Sequence, residues 1–135
     1  MATLSEIREG VAESLRSIPG LQASARILTN PSLPTAYVLP GETSFHQTFG
    51  DGPSDVNLIV ELQVGTYSDI GAQMRLDEFL AETGEASLKA AIEVNPTLGG
   101  LVDDLIVQGF RDYGLFQRAQ GDAVLGARLL VWVLN

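Results

Sequence analysis

His46 is the only histidine in this chain of 135 residues, so any imidazole acid–base chemistry would have to be built on it. It stands among Phe45, Phe49, Gly50 and Gly52, in a stretch that reads as a loop and not as a strand end. No Gly-x-Ser-x-Gly nucleophile elbow accompanies the serines, which leaves a hydrolase triad without a pattern to rest on. Asp103 and Asp104, with Asp112 further along, are the acids that invite an oxygen-ligated metal. Adjacent side chains in extended chain point to opposite faces, however, and no calcium-loop spacing follows. A turn or cap ahead of a strand at Leu105 accounts for them. Gly99-Gly100 lacks a Gly-Lys-Ser/Thr ending and a Gly-x-Gly-x-x-Gly frame, so it reads as a turn and not as a phosphate loop. The sequence has no cysteine, which removes disulfides, thiolate zinc sites and thiol nucleophiles together. No catalytic residue, cofactor or metal is expected, and the chain is not expected to be an enzyme.

Charge points the same way. The formal net charge is −9, from 17 acids against 8 basic residues. Between Arg26 and Arg75 there is no Lys or Arg, while Glu42, Asp51, Asp55, Glu61 and Asp69 all fall there. Such a field repels nucleic-acid phosphates instead of releasing their counterions. The same acids also fit a solvated surface that keeps a monomer soluble. The longest apolar run, Leu129 to Leu134, is far short of the roughly 20 residues that cross a bilayer. The opening residues lack a basic leader and an apolar stretch, which predicts synthesis for the cytoplasm.

The length suits one domain with one core, residues 1–135. Thr3 and Glu6 have capping-box spacing, and Leu4, Ile7, Val11, Leu15 and Ile18 recur at helical intervals until Pro19-Gly20. Two short strands are expected over 21–29 and 35–39, separated by Asn30-Pro31 and Pro34. Residues 42–54 read as a long hairpin tip or projecting loop, and thus as a candidate contact arm through Phe45 and Phe49. Equally, the two phenylalanines can fold back onto the domain's own core. From Asp55 to Val64 the alternation of Val56, Leu58, Val60, Leu62 and Val64 predicts a strand with one buried side. A helix capped by Ser68 and running to Leu80 is expected to pack Ile70, Met74 and Phe79 on the sheet, followed by a shorter helix through Leu88, Ala91 and Ile92. Strands are expected at 105–110 and 114–118.

The closing strand, Ala123 to Leu134, carries Leu125, Ala127, Leu129, Val131 and Val133 on one face. Its other face ends in Leu130, Trp132 and Leu134, so both sides call for cover. Another subunit would supply it, and so would a helix of the same chain on each face.

Val64-Gly65-Thr66-Tyr67-Ser68-Asp69, with Ala72-Gln73, Leu76-Asp77 and Leu80, resembles tail terminator proteins of long-tailed phages that infect actinobacteria. Ser87-Leu88-Lys89-Ala90-Ala91-Ile92-Glu93 and Pro96-Thr97-Leu98-Gly99-Gly100-Leu101-Val102-Asp103-Asp104-Leu105 resemble the family's most recognisable stretch. Ile18-Pro19-Gly20, Pro34-Thr35-Ala36 and the apolar closing strand add to the likeness, which covers nearly the whole chain in element order. Residues 42–54 depart from the family's pattern. The resemblance implies an α+β fold, a mixed and mostly antiparallel sheet with two to three helices packed on it. It also implies a structural virion protein: a homohexameric ring on the head-proximal end of the tail tube that stops tube polymerisation and offers a surface for head–tail joining. The implied partners are the chain itself, the major tail tube protein and a neck or head-completion protein, with genomic DNA passing through the lumen unbound. Phe45, Phe49 and Trp132 are then candidate subunit or tube contacts, and Glu42, Asp51, Asp55 and Glu61 candidates for an acidic lumen. Two rival readings are another neck component, such as a head-completion or stopper protein, and a small acidic enzyme using Asp103 or Asp112 as a base.

Overall fold

The computed structural model describes residues 3–26, 32–41, 55–66, 70–117 and 123–134. The chain runs α1 (Leu4–Leu15), β1 (Gln22–Ser24), β2 (Thr35–Pro40), β3 (Asp55–Thr66), α2 (Ala72–Leu80), α3 (Leu88–Glu93), a 3-10 turn (Leu98–Gly100), β4 (Asp104–Gln117) and β5 (Ala123–Leu134). This is an α+β fold with five strands in the order β1-β2-β3-β5-β4. Only β1 and β2 run parallel; every other neighbouring pair is antiparallel.

The capping box forms as its spacing requires. Thr3 Oγ1 accepts from the Glu6 amide at 3.2 Å, and the Glu6 carboxylate accepts from the Thr3 amide at 3.1 Å. Two amides that the helix leaves without partners are thereby satisfied. The bond from the Thr3 backbone holds the Glu6 carboxyl below its ordinary value. Behind the cap, Ile7, Val11 and Leu15 lie on one stripe and are fully buried, which turns α1 onto the sheet.

The central strands supply the other half of the core. Leu58, Val60 and Leu62 of β3 and Ala127, Leu129, Val131 and Val133 of β5 are buried, together with Val38, Leu105 and Val107 on the flanking strands. They pack against Ile7, Val11 and Leu15 of α1, Leu76 of α2 and Ile92 of α3. All these strand residues belong to one side of the sheet, so the three helices share one face.

Two expectations need correcting. In the second helix Met74 is 70% exposed and Ile70, ahead of the helix, 99% exposed, so neither packs on the sheet. The helix starts at Ala72 with Gly71 at its N-cap, and that phase turns Ala72, Leu76 and Phe79 inward, a stripe at i, i+4 and i+7. Phe79 does pack as expected. The strands expected at 105–110 and 114–118 are one strand, β4, of 14 residues. Its register against β5 shifts between Val107 and Gly109 and again between Arg111 and Gly114. Bulges absorb the extra residues without ending the strand, and Asp112, at φ 59°, takes the left-handed conformation at the second one.

Ser87 caps α3 by accepting from the Ala90 amide at 3.1 Å. Glu93, at the end of α3, accepts from Lys89 and from the Val107 amide of β4. Burial alone would raise its carboxyl, but these two bonds outweigh it and the net shift is downward.

Candidate assembly interface

The sheet face away from the helices is built from every second residue of β3 and β5. Asn57 stands opposite Trp132, Ile59 opposite Leu130 and Glu61 opposite Arg128, while Ile106 of β4 faces Trp132 from the other side. Leu39 of β2 extends the row beside Ile59. The side chains of Leu39, Ile59, Leu130, Trp132 and Leu134 are all half-buried, and Ile106 is exposed. No described helix lies over them. Gly41, Asn57, Ile59, Gln108, Arg111 and Leu130 border an open depression of about 200 Å³ on this face.

One cation organises the upper part of the same face. Arg128 is the single charge in β5, and an arginine on an otherwise apolar strand requires partners. Its Nη2 lies 3.2 Å from Glu61 Oε1 on β3 and its Nη1 lies 3.0 Å from Asp112 Oδ2 on β4. The Phe116 ring lies beneath the guanidinium, 4.9 Å from Cζ to the centroid. The hydrogen bond to Asp112, opposed by partial burial and reinforced by Glu61, raises the Arg128 pKa further above its usual value. Gln63 Nε2 donates to the second oxygen of Glu61 at 3.0 Å. Phe116 also rests on Gly126: a Cβ there would meet the Leu62 carbonyl oxygen and come within 2.9 Å of the ring.

A second apolar surface lies along β4 on the helix side, at the edge of the sheet. Phe110, Tyr113 and Leu115 are exposed, Leu115 by 60%. The Phe110 and Tyr113 rings are 6.5 Å apart between centroids. Tyr113 donates its hydroxyl to Asp77 Oδ1 of α2 at 2.6 Å, a bond that holds the phenolic proton and raises its pKa. Met74, one turn before Asp77 on α2, is also exposed.

Of the residues singled out in the sequence, Trp132 is on the sheet face away from the described helices, Asp55 is exposed at the start of β3, and Glu61 is half-buried in the pair with Arg128. The charge of Glu61 is therefore compensated within the chain. Phe45, Phe49, Glu42 and Asp51, like His46, lie outside the described residues. Asp112 is engaged by Arg128, while Asp103 and Asp104 are exposed, Asp104 accepting from the Leu105 amide at 2.8 Å. Among the described residues no group of three or more His, Cys, Asp or Glu is arranged to hold a metal ion. No described helix is long and apolar enough to cross a membrane. Sequence reading missed Arg128 and the β4 flank. The lone arginine in an apolar strand was the available signal for the first; the alternation of Tyr113, Leu115 and Gln117 with Gly114 and Phe116 was the signal for the second.

Compared with known families and with curated proteins, the sequence matches no family model and no curated protein.

Proposed function

We propose that this protein is a structural virion component, a tail terminator that assembles as a six-membered ring on the head-proximal end of a phage tail tube. The observation that carries the reading is a sheet face that no described helix covers: Ile59, Leu130, Trp132 and Ile106 form an apolar surface with the three described helices on the other side. An apolar patch rimmed by polar groups is the usual mark of a binding surface. The family resemblance of the 64–105 stretch supplies the identity of what is bound.

Such a protein acts by binding alone. A head-to-tail contact builds a ring when its rotation closes, and a closed ring offers the tube one complementary face and no second copy of that face. Termination is thus geometric. The other surface of the ring is left for a neck protein, and DNA crosses the lumen without specific contacts. Asp55, Asp103 and Asp104 gather at one end of the sheet, where Asp55 and Asp104 both stand opposite Leu134 and Asp103 donates its amide to the Leu134 carbonyl. Repeated six times, these carboxylates would repel phosphates if that end faces the lumen.

The test is capping. Purified protein added to polymerising tail tube protein of the same phage should stop elongation at one end and leave a ring visible there by electron microscopy. Tubes that elongate unchanged, with no density at either end, would remove the terminator reading. Rings that bind the portal or a head-completion protein and ignore the tube would move the protein to the head side of the neck.

A further inference from the structure

The first and last parts of β4 are held to the domain by different means. Leu105 and Val107 are buried in the core, and Glu93 of α3 takes the Val107 amide at 2.9 Å. Past the first bulge this changes. From Gly109 to Gln117 no residue is buried, although the strand stays paired with β5 as far as Gln117 opposite Ala123. Burial therefore gives this segment little of the stabilisation that anchors Leu105 and Val107. Gly109 stands at the change with φ 154°, a conformation that residues with a Cβ rarely adopt.

Side chains at one point fasten the segment from both sides. Asp112 and Tyr113 are the two residues of the second bulge: Arg111 pairs with Arg128 and Gly114 with Gly126, so both stand opposite Ala127 alone. Asp112 takes Arg128 Nη1 at 3.0 Å on the face away from the described helices. Tyr113 donates to Asp77 of α2 at 2.6 Å on the helix face. Asp112, Tyr113 and Asp77 are all exposed, and polar bonds between exposed groups are individually weak.

We propose that residues 109–117 form a strap that opens as one unit while the rest of the domain stays folded, with its hinge at Gly109 and its latch at Asp112 and Tyr113. Sub-global openings of this kind occur in contiguous segments poor in buried apolar contacts. Closed, the strap presents a bulged edge that hinders strand addition. Both extra residues belong to β4, since Val107 and Gly109 pair with the adjacent Val131 and Leu130, and Arg111 and Gly114 with Arg128 and Gly126. Open, the strap bares the edge of β5 from Ala123 to Leu130, which carries no bulge of its own. The strap is thus an autoinhibitory cover: a regular pairing edge is built into the fold and stays shut while the latch holds.

Native-state hydrogen exchange of the full chain reads such an opening, on a timescale of minutes to hours. The amides of 109–117 that bond β5 should exchange together, about tenfold faster or more than amides of the β3–β5 ladder. Within β5 the protection should alternate: between Ala123 and Arg128, amides directed to β4 exchange with the strap, and those directed to β3 stay slow. Tyr113→Phe removes the bond to Asp77 and should quicken every strap amide by one common factor of about ten. Asp112→Asn keeps a residue that tolerates the left-handed conformation and loosens the hold of Arg128, for a common factor of about three. Strap amides as slow as the β3–β5 ladder in the parent chain would overturn the proposal. So would β5 amides that exchange alike toward both neighbours, or a Tyr113→Phe effect confined to residues 112–114.

Discussion

The two edges of the sheet solve the same problem in different ways. An edge strand exposes unpaired backbone groups and invites unwanted pairing. At β1 the edge is three residues long, and Gln22 turns its backbone toward β2, donating to Pro34 and accepting from Thr35. Ala23 is left facing outward, and its carbonyl is taken by Arg16, as the Ala25 carbonyl is by Arg8. The β4 edge is 14 residues long, and side chains take two of its amides ahead of the first bulge, Glu93 that of Val107 and Asp104 that of Leu105. Two bulges break its regularity, which hinders strand addition, but its apolar side chains stay exposed. One edge is thus closed to backbone pairing by arginines, and the other is closed to pairing yet open to side-chain docking. The lesson is that a protein can suppress indiscriminate sheet growth and still keep a specific contact, provided the contact is carried by side chains.

That contrast is broken most severely from the inside. Gly126→Ala places a methyl group against the Leu62 carbonyl and the Phe116 ring, and should cost about 3 kcal/mol. Urea unfolding that shows an unchanged midpoint would mean that β4 is not held through this contact. Arg128→Leu leaves Glu61 half-buried without its cation and releases the Asp112 bulge, for a loss of about 2 kcal/mol. Amide exchange should then quicken along β4 and stay unchanged in β1; uniform quickening would show that Arg128 serves the whole sheet and not its β4 side. The reciprocal change, Arg16→Ala, uncovers the Ala23 carbonyl and should cost about 1 kcal/mol, with faster exchange at β1 alone.

The smallest effect is a pH dependence. The carboxyl of Glu93 is held below its ordinary value of 4.5. A group whose folded value is depressed stabilises the protein fully above its unfolded value, and that contribution drains away as pH falls through the folded value. The α3–β4 junction should therefore loosen below about pH 4.5, and Glu93→Gln should remove that part of the acid dependence. An identical acid profile for parent and variant would assign it to other carboxylates.

Much of this architecture is legible in local pattern. The Thr3–Glu6 cap, the alternation of Leu58, Val60 and Leu62, and the apolar face of β5 each follow from a few neighbouring residues. The phase of α2 was not legible, because two stripes compete: Ile70 with Met74, and Ala72 with Leu76 and Phe79. The second wins once Gly71, and not Ser68, opens the helix. Nor was the edge position of β4, since it depends on β5 inserting between β3 and β4, a non-local choice. For the same reason the role of Arg128 was hidden: Glu61 is 67 residues away in sequence and Asp112 is 16. Trp132 could be placed from its strand alone, whereas Phe45 and Phe49 fall outside the described residues.

The central claim, that this chain ends the growth of a tail tube, is tested most directly by electron microscopy of a lysate from the producing phage with an early stop codon in this gene. The account predicts overlong tail tubes beside filled heads that lack tails. Tubes of normal length on intact, infectious particles would contradict it.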